Sequence, residues 1–262
     1  MTAGADWDAV SYRQVAQPHA RWGASVVDRV QLRGDETVLD AGCGAGGVTG
    51  QLILRLPRGR VIAADRSPAM LAAARTALAA YADQVSFLET DLLLIDERLG
   101  LASVDVVFST ATFHWIADHT RLYAALRGVL REGGQLVAQY GGGANLAGFM
   151  AATDAVAARE PYRQYLQGKD LWRFYYSPEE TREAVLRAVF SSVDAWLEPS
   201  PQTFDTREAL TTYARTVVLR NHVDALPATL RPAFEAAVVD AIVSRLGGLV
   251  LDYVRLNVVA RA

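Results

Sequence analysis

The sequence lacks the features of several broad classes of protein. It has one cysteine, Cys43, in 262 residues. An internal disulfide framework is therefore excluded, which fits a reducing compartment and predicts a cytoplasmic protein. The formal net charge is −3, so no strong positive field is available to hold a phosphate backbone, and a nucleic-acid partner is not expected. No uninterrupted run of about 18 apolar residues occurs, so no membrane span or membrane partner is predicted.

The amino-terminal stretch MTAGADWDAV contains two acidic residues and no long apolar run, so it is not expected to be a signal peptide. The composition that remains is 51% hydrophobic and 21% charged. Such a chain is globular and can bury a sizeable core. Its length suits one large domain, or a core with an elaborated appendage. The sequence indicates no oligomeric state.

The first half of the chain alternates apolar strand-like runs with helix-like segments. This alternation predicts an α/β fold with a doubly wound, mostly parallel, seven-stranded sheet. Sheets of this kind bind ligands outside the carboxyl ends of their strands. The five predicted strands of this half span 36–42, 60–67, 84–91, 103–111 and 135–142, and helices are predicted at 26–32, 47–56, 67–82 and 118–132, the last closed by Gly133 and Gly134.

The second half is less regular. A well-capped helix is predicted at 177–190, a sixth strand at 191–204, helices at 206–219 and 227–246, and a last strand at 248–262. We therefore expect a single domain over residues 1–262, with amino-terminal lid helices over 1–30. The helices of about 205–247 lie between two strands, which predicts a helical cap inserted over the mouth of the sheet.

The stretch VLDAGCGAGG, residues 38–47, is the strongest local signal. Gly42, Gly44 and Gly47 match the pattern G-x-G-x-x-G, and Gly42, Gly44 and Gly46 match G-x-G-x-G. Glycine allows the backbone to turn tightly and to approach a ligand closely. A strand precedes the loop and a helix follows it, and this context strengthens the prediction of a nucleotide-type cofactor site. A nicotinamide dinucleotide and S-adenosylmethionine are both compatible with this loop.

Aspartates stand at the ends of three successive predicted strands: Asp40, Asp65 and Asp91. Asp65 could bind a ribose in either cofactor. A carboxylate at Asp40 would repel a pyrophosphate but would attract an ammonium or sulfonium group. The three acids together therefore favour S-adenosylmethionine. The simpler interpretation is that each acid only caps a loop or a following helix.

These motifs resemble the class I S-adenosylmethionine-dependent methyltransferases. The resemblance rests on VLDAGCGAGG, on AAD at 63–65, on ETD at 89–91 and on VDVVFSTATFHWI at 104–116. Trp7 and Tyr12, SPAMLAAAR at 67–75, HWIADH at 114–119 and LNVVARA at 256–262 extend it to the trans-aconitate methyltransferase-like small-molecule group. Membership would imply seven strands with the last one antiparallel.

The resemblance also implies roles for individual residues. The glycine loop would contact the methionine part of the cofactor, Asp65 the ribose hydroxyls, and Asp91 with Leu92 the adenine. Tyr12 could cover the sulfonium with its ring. No metal site is predicted. The predicted cofactor-binding residues are Tyr12, Asp40, Gly42, Gly44, Gly46, Asp65, Arg66, Asp91, Leu92 and Ser109.

His114 and Trp115 follow the fourth predicted strand and should therefore lie at the mouth of the site. His114 could act as a general base, hydrogen-bond the substrate, or only pack within the loop. Trp115 could belong to the core. In carboxyl methyltransferases that this segment resembles, however, the equivalent tryptophan binds the substrate carboxylate. Its partner there is a glutamine seven residues after an amino-terminal tyrosine, and here that position is His19.

The predicted function is therefore methyl transfer to a small molecule, most simply to a carboxylate oxygen, which needs no base at pH 7 because its pKa is near 4. Alternatives are C- or N-methylation of a natural product with a histidine base, a nicotinamide oxidoreductase, and a cofactor-binding module without catalysis. Aromatic residues at 172–176 could line a pocket or pack the cap. Arg173, Arg215 and Arg220 are candidates for holding a second carboxylate.

Overall fold

The computed structural model describes residues 23–262. Tyr12, His19 and most of the predicted lid lie outside the described residues. The chain forms two compact units. The first includes residues 23–142, Tyr176–Leu197 and Leu256–Ala262, and the second includes Gly143–Tyr175 and Glu198–Arg255. Within residues 23–262, no helix combines the length and the apolar character needed to cross a membrane.

A seven-stranded sheet organises the first unit, and each predicted strand is present in it. Its strand order is β3-β2-β1-β4-β5-β9-β6. The pairs β1–β2, β1–β4, β2–β3 and β4–β5 are parallel. Ala262 exchanges hydrogen bonds with Gly133 and Gly134, so the end of β9 meets the start of β5, as in antiparallel pairing. The strands are β1 Thr37–Ala41, β2 Arg60–Asp65, β3 Val85–Glu89, β4 Val104–Thr110, β5 Leu130–Gly141, β6 Ser192–Pro199 and β9 Val254–Arg261.

The helices of the first unit cover both faces of this sheet, which explains why its central strands are almost continuously apolar. Leu39, Val107 and Leu136 belong to the core on one face, and Val38, Val106 and Val137 to the core on the other. Parallel strands buried on both faces place their carboxyl ends along one edge, where the loops can form a site. The helices are α1 Gly47–Ile53, α2 Pro68–Ala77, α3 Ile95–Leu99, α4 His119–Val129 and α7 Pro178–Arg187.

Some local predictions were wrong at their boundaries. The helix expected at 26–32 instead covers 23–27 and is followed by a turn. The helix α4 ends at Val129 rather than at Gly133, because β5 begins at Leu130. Val104 pairs with Leu130 while Val106 pairs with Gln135, so the intervening residues bulge out of the ladder and Gly133 supplies a positive φ of 73° there.

The second unit is mainly helical. Its longest helix, α10 (Arg231–Leu246), packs against α5 (Ala147–Ala157). Between α8 (Arg207–Tyr213) and α9 (Arg220–Asp224), the chain forms a π-helical segment, Ala214–Val218. The helix expected at 227–246 begins at Arg231 instead, after a turn. A short antiparallel pair, β7 Gln202–Thr203 with β8 Val250–Leu251, completes the unit. The helices are α5 Ala147–Ala157, α6 Arg163–Leu166, α8 Arg207–Tyr213, α9 Arg220–Asp224 and α10 Arg231–Leu246.

Candidate active site

The glycine loop connects β1 to α1 and forms a cradle at the carboxyl end of β1. Gly42 has φ +87°, and a Cβ atom there would lie 2.2 Å from Thr112 Oγ1, so only glycine fits. Gly44 has φ +53°, and a Cβ atom there would meet no atom of residues 23–262 within 4 Å. The same holds at Gly47. Gly46 packs against Leu78 and the helix α2. Among the described residues, the loop therefore leaves open space over Gly44 and Gly47.

Asp65, the last residue of β2, holds the other side of this loop. Its Oδ2 accepts from Gly44 N–H at 2.9 Å, and its Oδ1 accepts from Ser67 N–H at 2.9 Å. Burial raises the pKa of this carboxyl, and the two backbone hydrogen bonds oppose the change. Each carboxylate oxygen has a second lone pair, so Asp65 can still accept from a ligand hydroxyl. Ser67 caps α2 as predicted, by accepting from Met70 N–H.

Asp40, at the end of β1, is 2% exposed. Its Oδ2 accepts from Thr49 Oγ1 at 2.6 Å. Burial raises the pKa of Asp40 to about 7, the hydrogen bond from Thr49 lowers it, and the neighbouring charge of Asp65 raises it. A buried carboxyl with this pKa ionises readily when a cationic group comes near it. Asp40 is thus suited to an ammonium or sulfonium ligand.

The remaining predicted cofactor residues differ in exposure. Asp91 is exposed and caps a short 3-10 helix by accepting from Leu93 N–H, while Leu92 is buried. Arg66 is exposed. Ser109 is buried, and its hydroxyl donates to Ala41 O at 2.7 Å. This hydrogen bond links β4 to β1. Asp91 therefore has a structural role as a helix cap, and Ser109 has one in linking two strands.

His114 and Trp115 lie in a 3-10 turn, Phe113–Trp115, just after β4. His114 is buried, Trp115 is half-buried, and their rings are 5.6 Å apart between centroids. Gly141 N–H, at the end of β5, donates to His114 Nδ1 at 3.3 Å. A ring nitrogen that accepts carries no proton, so in the neutral ring the proton is on Nε2. In this tautomer Nε2–H is a hydrogen-bond donor.

Three further residues support the site and were missed in the sequence. Thr49 holds Asp40, and Thr112 Oγ1 donates to Gly42 O at 3.2 Å and to Thr110 O at 3.0 Å. Ala111 has φ +55°, a left-handed conformation that costs energy for a residue with a Cβ atom. No local sequence signal marks these residues, because their roles depend on the folded backbone and on contacts such as that of Thr112 with Gly42.

In the second unit, the arginines and aromatic residues that the sequence suggested for a second carboxylate or a pocket have partners within the protein. Arg215 Nη1 lies 3.7 Å from Glu235 Oε2, and Arg220 Nε lies 3.6 Å from Asp224 Oδ2, so both arginines face carboxylates. Trp172 donates to Asp154 at 3.0 Å and contacts His222, as a packing residue does. In the first unit, Tyr176 lies over the His119 ring at 4.1 Å and donates to Ala117 O at 2.5 Å.

The residues present fit S-adenosylmethionine. The open cradle at Gly44 accepts a group that needs close backbone approach, Asp40 matches a cationic group, and Asp65 matches a pair of hydroxyls. Residues 38–134 also match a family model described as a methyltransferase domain. The chain is an S-adenosylmethionine-dependent methyltransferase with a Rossmann-like α/β fold. The described residues of this methyltransferase contain no cluster of three or more histidine, cysteine or acidic side chains that could hold a metal ion.

Relatives by sequence agree with this assignment, and solved structures agree with the fold. The methyltransferase is 29% identical to a trans-aconitate 2-methyltransferase from Methylobacterium nodulans over 98% of each chain. It is 28% identical to one from Rhodopseudomonas palustris, over 98% of this chain and 99% of the relative. Its fold is similar to that of Haemonchus contortus phosphoethanolamine N-methyltransferase 2 in complex with S-adenosyl-L-methionine. That likeness has a TM-score of 0.62 at 17% identity and covers 97% of this chain and 56% of the other.

Replacing Asp40 with asparagine should raise the stability of the protein and weaken cofactor binding. Because the folded pKa of Asp40 is raised, this carboxyl favours folding while protonated, and that contribution is lost as the pH rises from about 4 through about 7. Asp40→Asn should therefore raise the free energy of unfolding by about 1–3 kcal/mol at pH 8, and by less at pH 5. The same variant should bind S-adenosylmethionine about tenfold more weakly, because it lacks the charge.

Thermal unfolding at the two pH values and titration calorimetry measure both effects. Thr49→Val is the matched control, because it removes the hydrogen bond and leaves the carboxyl. A lower melting temperature of Asp40→Asn at pH 8 would contradict the assigned ionisation of Asp40.

Proposed function

We propose that this methyltransferase transfers the methyl group of S-adenosylmethionine to a carboxylate oxygen of a small molecule. The observation that carries the proposal is the hydrogen bond from Gly141 N–H to His114 Nδ1. It leaves the proton of the neutral ring on Nε2, so the imidazole presents a donor. A donor holds a carboxylate oxygen, whereas a general base must accept a proton. The trans-aconitate methyltransferases at 28–29% identity support a carboxylic acid as the acceptor.

Methyl transfer to a carboxylate oxygen requires no general acid or general base. Bound S-adenosylmethionine supplies an electrophilic methyl group on a sulfonium. A carboxylate with a pKa near 4 is already ionised at pH 7, so its oxygen needs no deprotonation. The protein then has to bind, orient and desolvate the acceptor, and such positioning can lower a barrier by roughly 7–11 kcal/mol. Asp40, Asp65 and the glycine loop would hold the cofactor, and Asp91 with Leu92 would border its base.

Trp115 and His114 would position the acceptor at the carboxyl end of β4. The indole offers an apolar face and one N–H donor, and His114 offers Nε2–H. His19 as a second donor, and Tyr12 over the sulfonium, stay predictions because both lie outside the described residues. Arg66 and Ser109 stay predicted cofactor contacts. A cytoplasmic location, from the single cysteine, is likewise a prediction.

Removing the His114 ring tests the mechanism without a base. In His114→Ala, kcat should stay within about fivefold of the wild type, and the KM of the acceptor should rise about three- to tenfold, because one hydrogen bond is lost. In His114→Gln, the side-chain oxygen can accept from Gly141 N–H and the amide can donate, so KM should return close to that of the wild type.

Steady-state formation of S-adenosylhomocysteine from pH 6 to 9 measures both variants. The wild-type kcat should be flat across this range, because no group has to lose a proton. Loss of turnover in His114→Ala at saturating acceptor, with cofactor binding intact, would mean that His114 is a base and that the proposed mechanism is wrong.

A further inference from the structure

The segment HWIADH at 114–119 contains a second histidine, to which the methyl-transfer site has so far given no role. His119 begins α4 and is 4% exposed. Its Nε2 lies 3.0 Å from Phe113 O, and a carbonyl oxygen only accepts, so Nε2 carries the proton and donates. Phe113 O also accepts from Ile116 N–H at 3.0 Å, and this hydrogen bond closes the 3-10 turn. His119 therefore holds the carbonyl on which the turn depends.

Aromatic rings fix the position of the His119 side chain. The ring of Tyr176 lies over that of His119, with 4.1 Å between centroids, and the rings of Tyr123 and Tyr140 meet it edge-on, each at 5.7 Å. The Tyr123 and Tyr140 hydroxyls are 2.7 Å apart and share a hydrogen bond. The Tyr176 hydroxyl instead donates to Ala117 O at 2.5 Å. Two donors, His119 Nε2–H and the Tyr176 hydroxyl, thus reach the loop between β4 and α4.

Packing alone does not account for a histidine at this position. Its Nδ1 is buried and has no hydrogen-bond partner within residues 23–262. Such an atom lowers stability, because it has lost its contact with water. Burial also lowers the pKa of His119, so the ring is neutral at pH 7. A phenylalanine would fill the same space without an unpaired nitrogen. What phenylalanine lacks is the donor to Phe113 O.

The Phe113 carbonyl influences the direction of the two side chains that follow it. The peptide unit is planar, so fixing Phe113 O also fixes the direction of His114 N–H. Trp115 N–H donates to Thr112 O at 2.9 Å within the same turn. Gly141 N–H holds the His114 ring from β5. A rotation of the turn would therefore move both side chains together.

We propose that His119 and Tyr176 are positioning residues for the acceptor, because they hold the 3-10 turn that carries its proposed contacts. His119 acts through the Phe113 carbonyl, and Tyr176 acts through the Ala117 carbonyl. The inference rests on the proposed function in taking the side chains of this turn to bind the acceptor. A contact that is weakened through a neighbour should change the same constant as loss of the contact itself, which is the KM of the acceptor.

His119→Phe removes the donor and keeps a ring of similar size. With trans-aconitate as the acceptor, KM should rise about five- to tenfold and kcat should change less than about threefold, because the turn is no longer held. The melting temperature should rise or stay within about 3 °C of the wild type, since the unpaired Nδ1 is removed as well. His119→Gln keeps an amide donor and should return KM to within about twofold of the wild type.

His222→Phe is the matched control for His119→Phe. His222 is also buried and also contacts aromatic rings, those of Trp172 and Phe234, but it belongs to the second unit. Its KM should equal that of the wild type. Tyr176→Phe keeps the ring over His119 and loses only the hydroxyl, so its KM should rise about two- to fivefold. A lower melting temperature of His119→Phe with an unchanged KM would mean that His119 only stabilises the fold.

A double-mutant cycle separates positioning from a general structural effect. If His119 acts through His114 and Trp115, its replacement should matter little once those side chains are removed. In a variant that already carries His114→Ala and Trp115→Ala, His119→Phe should therefore raise KM by less than about twofold. The same fold-increase in both backgrounds would overturn the proposal.

Amide hydrogen exchange keeps this test separate from that of the proposed function. If no carboxylic acid is methylated, the proposed function fails, but the Trp115 and Ile116 amides still report on the turn, because their hydrogen bonds close it. Both amides should exchange at least about tenfold faster in His119→Phe than in the wild type, and at the wild-type rate in His222→Phe. Unchanged exchange in His119→Phe would contradict the positioning role.

Discussion

Gly44→Leu should weaken S-adenosylmethionine binding at least about 100-fold while leaving the protein folded. A Cβ atom at Gly44 would meet no atom of residues 23–262 within 4 Å, so a larger side chain there would occupy the open cradle that we expect the cofactor to fill. The φ of +53° adds a backbone cost of roughly 1–2 kcal/mol for any residue with a Cβ atom, which lowers stability but does not select against a ligand. Titration calorimetry with S-adenosylmethionine measures the effect.

Gly133→Leu is the matched control for this substitution. Gly133 has φ +73° and the same open surroundings, but it lies near the start of β5, away from the carboxyl ends of the strands. Both variants should lose a similar amount of stability, and only the Gly44 variant should lose cofactor binding. Equal affinity in the two variants would show that the cradle at Gly44 is not the cofactor site.

Trp115→Ala should raise the KM of the acceptor by about 10- to 100-fold and change kcat by less than about threefold. The indole supplies a large apolar face and an N–H donor, and its contacts to the acceptor should be equally strong in the ground state and in the transition state. Trp115 is half-buried, so its loss should not unfold the chain. Initial rates over a range of acceptor concentrations give both constants.

Trp196→Ala is the control for Trp115→Ala. Trp196 is also half-buried in the first unit, where Arg29 lies 5.3 Å from the centroid of its ring. This variant removes a similar side chain from a place distant in sequence from the 3-10 turn, and its KM should match that of the wild type. A fall of kcat in Trp115→Ala with KM unchanged would assign Trp115 to the transition state rather than to acceptor binding.

The sheet could be predicted from sequence because its information is local. The apolar runs at β1 to β5, the Ser67 cap of α2 and the capping box of Ser177 with Glu180 are all set by neighbouring residues. The ends of helices were predicted less well where pairing with a distant strand determines them. Leu130 continues a helical pattern but pairs with Val104 in the sheet, so α4 ends earlier than its own sequence indicates.

The candidate site could be predicted in part. The glycines and the strand-end aspartates follow a sequence motif, so their positions in the site could be predicted from the sequence. The tautomer of His114 was not, because it depends on an amide 27 residues away, at Gly141. Thr112 was missed for the same reason, since its hydrogen bond to Gly42 O forms only when the chain folds. Such contacts join residues that no periodic pattern relates.

The fold alone does not determine which atom receives the methyl group. The similar Haemonchus contortus enzyme is named as an N-methyltransferase, whereas the relatives by sequence are named for trans-aconitate. We therefore expect the acceptor atom to depend on the groups at the carboxyl end of β4. In the proposed function, a histidine that donates and a neighbouring indole would favour an anionic oxygen that needs no deprotonation.

The chemical nature of the transferred methyl group tests this account most directly. The purified enzyme is incubated with trans-aconitate and S-adenosylmethionine carrying an isotopically labelled methyl group, and the product is then treated with mild alkali. We expect a methyl ester, so alkali should release the label as methanol in an amount equal to the S-adenosylhomocysteine formed. Label that stays on the product after alkali, bonded to carbon or nitrogen, would contradict carboxylate O-methylation.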